Sequence, residues 1–119
     1  MRLTVLLAGL AIPCIGQSQS VAVQYGTPAT EYAGGIVQTI DGGYILGGYS
    51  KSGISGDKTE ANQSGNSSYF DYWVIKLSAT GTIEWQNTIG GSADEVLQSI
   101  QQTTDGGYIL GGTSWSGIS

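Results

Sequence analysis

An octapeptide that occurs twice constrains the fold of this chain more than any other feature. Residues 41–48 and 105–112 are identical, and the second copy begins 64 residues after the first. The longer stretches 36–55 and 100–119 agree at 16 of 20 positions. Because an octapeptide does not recur by chance in a chain of 119 residues, the protein is built from a repeated unit.

The repeated unit begins near residue 26. Residues 26–31 and 90–95 share a glycine, an alanine and a glutamate at matching positions. The chain therefore holds one full unit, residues 26–89, and about half of a second unit, residues 90–119.

Turn residues and hydrophobic alternation predict an all-β, antiparallel unit of four strands. The expected strands are 35–40, 44–49, 69–77 and 82–89, and the second unit restarts with 97–103 and 108–113. Asp41-Gly42-Gly43 is a hairpin turn, since glycine accepts a positive φ and aspartate bonds to the nearby backbone. Residues 78–81 form a second turn, and residues 50–68 form a long loop.

Side-chain patterns indicate how the strands are buried. The third strand carries apolar residues on both faces, as in a strand that is covered above and below. The fourth strand places Ile83, Trp85 and Ile89 on one face, which predicts a half-buried strand. Residues 93–101 could open a short helix, but the matching stretch holds Gly34 and Gly35, which oppose a helix, so a strand is expected.

The first 16 residues are typical of a secretory signal peptide. Arg2 supplies the positive start, an apolar run follows to Ile15, and cleavage is expected after Gly16 or within the next four residues. Removal of this segment takes Cys14 with it, which leaves no thiol for a disulfide or a metal site. A buried first strand and a membrane anchor are the alternatives, but the run is short for a membrane span.

Composition excludes several kinds of function. The chain has no histidine, and after signal removal three lysines face nine acidic residues, a net charge of −6. Histidine is the usual general base and the commonest zinc ligand, and binding of nucleic acid or anionic membranes needs clustered lysine and arginine. We therefore expect no catalytic residue, no nucleic-acid partner and no membrane span in the mature chain.

The repeat resembles that of secreted bacterial β-propeller repeat proteins with Asp-Gly-Gly-Tyr-Ile-Leu-Gly-Gly units. The resemblance rests on the turn and strand at 41–50, Asp-Tyr-Trp-Val-Ile-Lys-Leu at 71–77, Gly-x-Ile-x-Trp at 81–85, and Gly90-Gly91. The double glycine is also similar to kelch repeats, but this unit is longer. The resemblance implies propeller blades and a secreted or cell-surface location, and it implies no chemistry.

Propellers close with roughly four to eight blades, and this chain holds about one and a half. We therefore expect a fragment or truncated form of a longer protein, or a chain that assembles with further repeats. Alone, it could form one four-stranded meander over residues 69–114, with residues 35–50 as an extra hairpin.

Candidate sites fall on the face that carries the long loop. Asp57, Glu60 and Asn62 offer oxygen ligands of the kind that calcium prefers, although their spacing matches no known calcium loop. Tyr49 and Trp115 lie at strand ends, where exposed aromatic rings could stack on a sugar or a partner protein. The alternative interpretations are a solvated acidic loop for the first set and ordinary blade packing for most aromatic residues.

The sequence therefore predicts a non-catalytic, secreted repeat module with a structural, protein-binding or glycan-binding role. It is expected to need no cofactor, with calcium the one candidate. The alternatives are a calcium-stabilised or carbohydrate-binding adhesion unit, and a fragment of a larger secreted enzyme whose catalytic residues lie in other repeats.

Overall fold

The computed structural model describes residues 2–9 and 19–117, with side chains described from Gln24 to Gly117. The described residues form β-strands and no helix, which confirms the all-β class; they accordingly include no apolar helix of membrane-spanning length. The strands are β1 (Arg2–Gly9), β2 (Gln19–Gly26), β3 (Glu31–Gln38), β4 (Tyr44–Ser50), β5 (Asp71–Leu77), β6 (Ile83–Ile89), β7 (Glu95–Gln102) and β8 (Tyr108–Ser114).

Three antiparallel sheets organise these strands. β1 pairs with β2, β3 to β6 form a four-stranded sheet in sequence order, and β7 pairs with β8. The four-stranded sheet coincides with the repeated unit 26–89. The expected meander over residues 69–114 is wrong, because β7 does not pair with β6 but lies against β3 and β4.

The Asp-Gly-Gly turn joins β3 to β4 in the predicted way. Gly42 has a φ of 85°, and the Oδ1 atom of Asp41 accepts a hydrogen bond from the Gly43 N–H at 3.0 Å. Gly106, the matching residue of the second unit, has a φ of 89°. At the turn after β5, Gly81 has a φ of 87° and its N–H donates to the Ser78 carbonyl at 3.1 Å.

One hydrophobic core lies on the face of the four-stranded sheet that includes Trp73. It is formed by buried side chains from β4 and β5 together with Tyr25 of β2: Tyr25, Tyr44, Leu46, Trp73, Ile75 and Leu77. The hydroxyl of Tyr25 donates to the Gly81 carbonyl. Strand β2 thereby contributes Tyr25 to the core of the four-stranded sheet.

A second core joins the two units across the other face of the sheet. Ile45 and Val74 of the first unit pack with Ile100 of β7. Leu97 is also buried, and its side chain fills the space beside Gly47, where a Cβ would lie 2.5 Å from the Leu97 Cδ2 atom. β5 is consequently buried along nearly its whole length, which confirms that both of its faces are covered.

A β-bulge overturns the expected facing of the fourth strand. The register passes from Leu77↔Ile83 to Lys76↔Trp85, so Glu84 is the extra residue. Because side chains alternate along a strand, one inserted residue moves those that follow to the opposite face. Trp85 therefore points away from the face of Ile83, and Thr88 is buried while Ile89 is exposed.

A second bulge explains where β3 begins. The pairing of β3 with β4 shifts between Ala33 and Gly35, which leaves Gly34 unpaired. The expected strand was 35–40, but β3 continues through both glycines and begins at Glu31. The matching stretch of the second unit is strand β7, with its own irregularity between Leu97 and Ser99, so the expected strand is confirmed there.

The predicted signal peptide overlaps β1. This strand pairs with β2 from Arg2↔Gly26 to Gly9↔Gln19. Cys14 and the expected cleavage point after Gly16 lie outside the described residues, as does Ser119. Signal cleavage and the partial nature of the second unit therefore stay predictions.

Candidate interaction surface at the loop end

The long loop and the link between the two units meet at one end of the sheet, as the up-and-down topology predicts. We call this end of the sheet the loop end: it comprises residues 51–70 and 90–94 together with the adjoining ends of the strands. The Phe70 N–H donates to the Oδ1 atom of Asp94 at 2.8 Å, and the Glu95 N–H donates to the Phe70 carbonyl at 2.7 Å. The Asp-Gly-Gly turns lie at the opposite end.

A buried lysine organises the long loop from within. Lys58 is 1% exposed, and its ammonium donates to the Ser52 carbonyl at 2.8 Å, the Glu60 carbonyl at 2.8 Å and the Asn62 Oδ1 atom at 2.7 Å. An ammonium has three donors, and all three are used here. Burial lowers the pKa of Lys58, while the nearby charges of Asp71, Glu60 and Glu31 act in the opposite direction.

The three predicted calcium ligands fasten this loop to the sheet. Asp57 accepts from the Gly26 N–H at 2.8 Å, and Glu60 accepts from the Thr88 N–H at 2.6 Å. The Asn62 amide donates to the Ser50 carbonyl at 3.0 Å, besides accepting from Lys58.

Each of these three side chains thus has a different partner. Within the part of the chain that the structure describes, no three His, Cys, Asp or Glu side chains come together as a metal site would require. Calcium binding by Asp57, Glu60 and Asn62 stays a prediction.

A buried glutamate recurs at the same place in both units. Glu31 accepts hydrogen bonds from Ser50 and Ser52 at 3.1 and 3.0 Å, and from the N–H and hydroxyl of Thr27. In the second unit Glu95 accepts from Ser114 at 2.8 Å and from Ser116 and the Gly91 N–H. The repeat therefore encodes this carboxylate cluster together with the octapeptide.

Tyr49 belongs to an aromatic cluster at the loop end. Its ring stacks on Tyr32 at 5.2 Å between centroids and meets Phe70 edge-on at 5.2 Å. The Lys51 ammonium lies 4.5 Å from the centre of the Phe70 ring, a cation–π contact. Tyr32 is 41% exposed, so the cluster presents an aromatic surface to solvent.

Trp115 does not join this cluster. It follows β8, occupies the position that Lys51 has in the first unit, and is 63% exposed. Its backbone N–H donates to the Asp94 backbone carbonyl at 2.9 Å. The structure therefore places the two predicted ligand-binding residues in different surroundings, one in a cluster and one alone.

Two shallow hollows flank Lys51 at the loop end. One, of about 190 Å³, is lined by Lys51, Asn62 and Asn66 among others, and the other, of about 560 Å³, includes Pro28, Thr30 and Ser67. Both have hydroxyl or amide side chains in their linings, and they adjoin the aromatic cluster through Lys51. The loop end thus combines exposed rings with hydrogen-bonding groups.

A cleft of about 560 Å³ separates the two units at the opposite end. Lys76 lies beside it and binds Asp41 at 3.0 Å and Glu84 at 3.1 Å. Hydrogen bonds from the Thr39 hydroxyl, the Gly43 N–H and Lys76 lower the pKa of Asp41 to about 2. Trp85 and Tyr108 meet edge to face at 5.8 Å across the two units.

Sequence reasoning missed Lys58, Tyr32 and Phe70. Lys58 stands in a polar loop, where a lysine is normally solvated, and its burial depends on contacts between distant residues. The serines around Glu31 carried a usable signal, because Glu31, Ser50 and Ser52 all recur 64 residues later.

The comparisons with known proteins leave the family open. No family model, curated protein or solved structure matches this chain.

Proposed function

We propose that this chain is a secreted, non-catalytic repeat module of the β-propeller type, which acts by packing against further units and by presenting its loop end to a partner. The supporting observation is the contact between the units. β7 opens the second copy of the repeat by packing on the face of the first sheet, rather than by extending that sheet. Face-to-face stacking of four-stranded units is the way in which propeller blades associate.

The character of the two faces also supports stacking. The face of the first unit that receives β7 holds Gly34, Gly35 and Gly47, and at Gly34 a Cβ would lie 2.5 Å from the Leu97 carbonyl oxygen. These glycines allow the backbone and side chain of the next unit to approach closely. Ile109, which matches the buried Ile45, is 61% exposed on the second unit. A third unit would cover it.

Chains that carry four to eight tandem copies of residues 26–89 test the stacking. A closed propeller is expected to give a compact disc whose radius of gyration grows slowly with copy number in small-angle X-ray scattering. A radius that grows in proportion to copy number would show an open array and would contradict the proposal.

Sequencing of the N-terminus of protein recovered from the medium tests secretion, with cleavage expected after Gly16 to Ser20.

Glycan binding at the loop end is a second candidate. It is favoured by the Tyr32–Tyr49–Phe70 cluster beside hollows that carry hydroxyl and amide side chains, because aromatic rings give sugars a stacking surface while polar groups bond their hydroxyls. A glycan array with the wild type, Tyr32→Ala and the surface control Ile54→Ala examines it. Binding that Tyr32→Ala abolishes and Ile54→Ala retains is expected, and an array without hits would remove this candidate.

Calcium stabilisation can be examined on the same samples. If Asp57, Glu60 and Asn62 bind calcium, the Tm of the wild type should rise with calcium and the Tm of Asp57→Asn should rise less. An unchanged Tm of the wild type would remove the calcium-stabilised alternative.

A further inference from the structure

Within the part of the chain that the structure describes, Asp71 has one buried carboxylate oxygen that accepts no hydrogen bond. The residue opens β5 and is fully buried. Its Oδ2 atom accepts a hydrogen bond from the Gln63 N–H at 2.5 Å, whereas its Oδ1 atom has no hydrogen-bond donor among the described residues. An unpaired buried oxygen on a charged group is costly, so such an atom calls for an explanation.

The neighbour of this oxygen is a second carboxyl group. Glu95, in the first strand of the second unit, is the ionisable neighbour: its carboxyl group and that of Asp71 influence each other's pKa. The two groups meet around Gly90 and Gly91: the Asp71 carboxyl lies against Gly90, and Glu95 accepts from the Gly91 N–H at 2.8 Å. Two ionised carboxylates are both acceptors, and they can bond only if one acid retains its proton.

The first unit shows what Glu95 lacks. Glu31 receives four donors: the N–H and hydroxyl of Thr27 and the hydroxyls of Ser50 and Ser52. Glu95 receives three matching donors, because the position of Thr27 is taken by Gly91, which has no hydroxyl. Asp71 is the group that can supply the fourth hydrogen to Glu95.

We propose that Asp71 and Glu95 form a buried proton-binding site, in which a proton carried by Asp71 is donated to Glu95 and joins the first unit to the second. The charges around the pair agree with this assignment. Burial raises the pKa of Asp71, while Glu95 has a lowered pKa because hydrogen bonds from Ser116, Gly91 and Ser114 outweigh its burial. Asp71 is therefore the acid and Glu95 the acceptor.

Among the residues whose side chains the structure describes, the surrounding ionisable groups do not supply a second counter-ion to Asp71. Lys58 is the cation that faces Asp71, and its three donors are already bound to Ser52, Glu60 and Asn62. The positive charge of Lys58 also interacts with Glu31 and Glu60. Asp94, on the adjacent segment, accepts a hydrogen bond from the Phe70 N–H. One ammonium among these carboxyl groups favours a neutral Asp71.

The proton makes the junction sensitive to pH in a defined direction. The pKa of Asp71 in the folded chain lies above its ordinary value of 3.8. The stabilisation is thus complete below that value and is lost as the pH rises through the folded pKa. Each pKa unit of the shift corresponds to about 5 °C in Tm for a domain of this size.

Thermal unfolding of the full chain between about pH 4 and about pH 9 tests the site in wild type, Asp71→Asn and the exposed control Asp105→Asn. The amide of Asp71→Asn donates to Glu95 at every pH. The Tm of the wild type should fall relative to Asp71→Asn as the pH rises, and Asp105→Asn should follow the wild type over this range. Parallel curves for wild type and Asp71→Asn would overturn the proposal.

Carbon-13 NMR of the Asp71 carboxyl in the wild type gives a test that needs no variant to fold. The carboxyl signal should keep its protonated position above pH 3.8, and titration at or below that value would overturn the proposal.

Calcium added at neutral pH, with the Tm as the readout, is a further probe of the site. If calcium raises the Tm of the wild type but not that of Asp71→Asn, the occupant is a cation and the proton assignment is wrong.

Discussion

At the scale of single residues, the glycines of the octapeptide have two different roles. Gly42 adopts a positive φ in the hairpin turn and has open space around it. Gly47 and Gly48 lie inside β4 instead, where a Cβ would overlap the Leu97 side chain and the Tyr32 carbonyl oxygen. Identical residues are thus required once by backbone conformation and once by close packing.

Gly48→Ala is expected to destabilise the chain by roughly 1–3 kcal/mol, because the added methyl group meets the backbone of the neighbouring strand, which cannot move without disturbing the sheet. Urea unfolding measures the change. Gly53→Ala is the matched control, since a Cβ at Gly53 meets nothing within 4 Å. Equal midpoints for the two variants would show that the sheet tolerates the methyl group.

Asp41 should retain its charge to an unusually low pH. Its pKa of about 2 lies below the ordinary value of 3.8, so its stabilising contribution is present above that ordinary value and is lost as the pH falls through about 2. The Tm of Asp41→Asn should therefore depend less on pH than the Tm of the wild type over this range. A wild-type curve that matches that of Asp41→Asn would show that the bonds from Thr39, Gly43 and Lys76 do not favour the charged form.

At the scale of elements, the long loop behaves as an ordered part of the unit because of its buried polar contacts. The Lys58 ammonium donates to two backbone carbonyls and to the Asn62 side chain. Asp57 and Glu60 accept hydrogen bonds from backbone N–H groups of β2 and β6 and so attach the loop to these strands. Charged side chains that looked like ligands in the sequence are thus used to satisfy backbone groups in a segment without regular structure.

Lys58→Met is expected to cost roughly 3 kcal/mol, since it leaves three acceptors, two of them buried, without their donor. Hydrogen exchange should increase across residues 51–70 more than in β4 and β5. The control is Lys51→Met on the same loop, where the ammonium lies over the Phe70 ring and the residue is half-buried. If exchange in the loop is unchanged in Lys58→Met, the lysine does not order it.

At the scale of the whole molecule, the first unit is a complete sheet and the second is a hairpin held on its face. Leu97 and Ile100 are the buried apolar side chains that β7 contributes to this contact. Because β7 and β8 have no sheet partner beyond each other among the described strands, the junction is expected to determine their stability.

Leu97→Ala is expected to lower stability by about 2–5 kcal/mol through a cavity at this junction. Hydrogen exchange should rise in residues 95–114, while β4 and β5 stay protected. Ile109→Ala is the control in the same hairpin, because Ile109 is 61% exposed and surface substitutions of this kind change stability by roughly 0.5 kcal/mol or less. Simultaneous loss of protection in both units would show that they unfold as one body.

Prediction from the sequence succeeded where structure depends on neighbours along the chain. The Asp-Gly-Gly turn, the strand after it and the doubly covered β5 follow from glycine's conformational range and from hydrophobic patterning. It failed at Trp85 and Ile89, because the bulge at Glu84 moves both side chains to the opposite face of the sheet. The alternating pattern of residues 83–89 gave no sign of this bulge. It also failed at Lys58, whose burial depends on acceptors supplied by other residues of a long loop.

By itself, the sequence determined the all-β class, the turns at the two copies of the octapeptide, the order of the strands and the end of the sheet at which the long loop lies. These properties depend on residues that are close in sequence or on the antiparallel connection of consecutive strands, so they can be inferred from the order of residues along one chain. Only the tertiary structure decided that β7 packs on a face rather than at an edge, and that Asp71 meets Glu95. Both outcomes depend on contacts between residues of different units, and those contacts are set by close packing and by the cost of burying an unpaired charge.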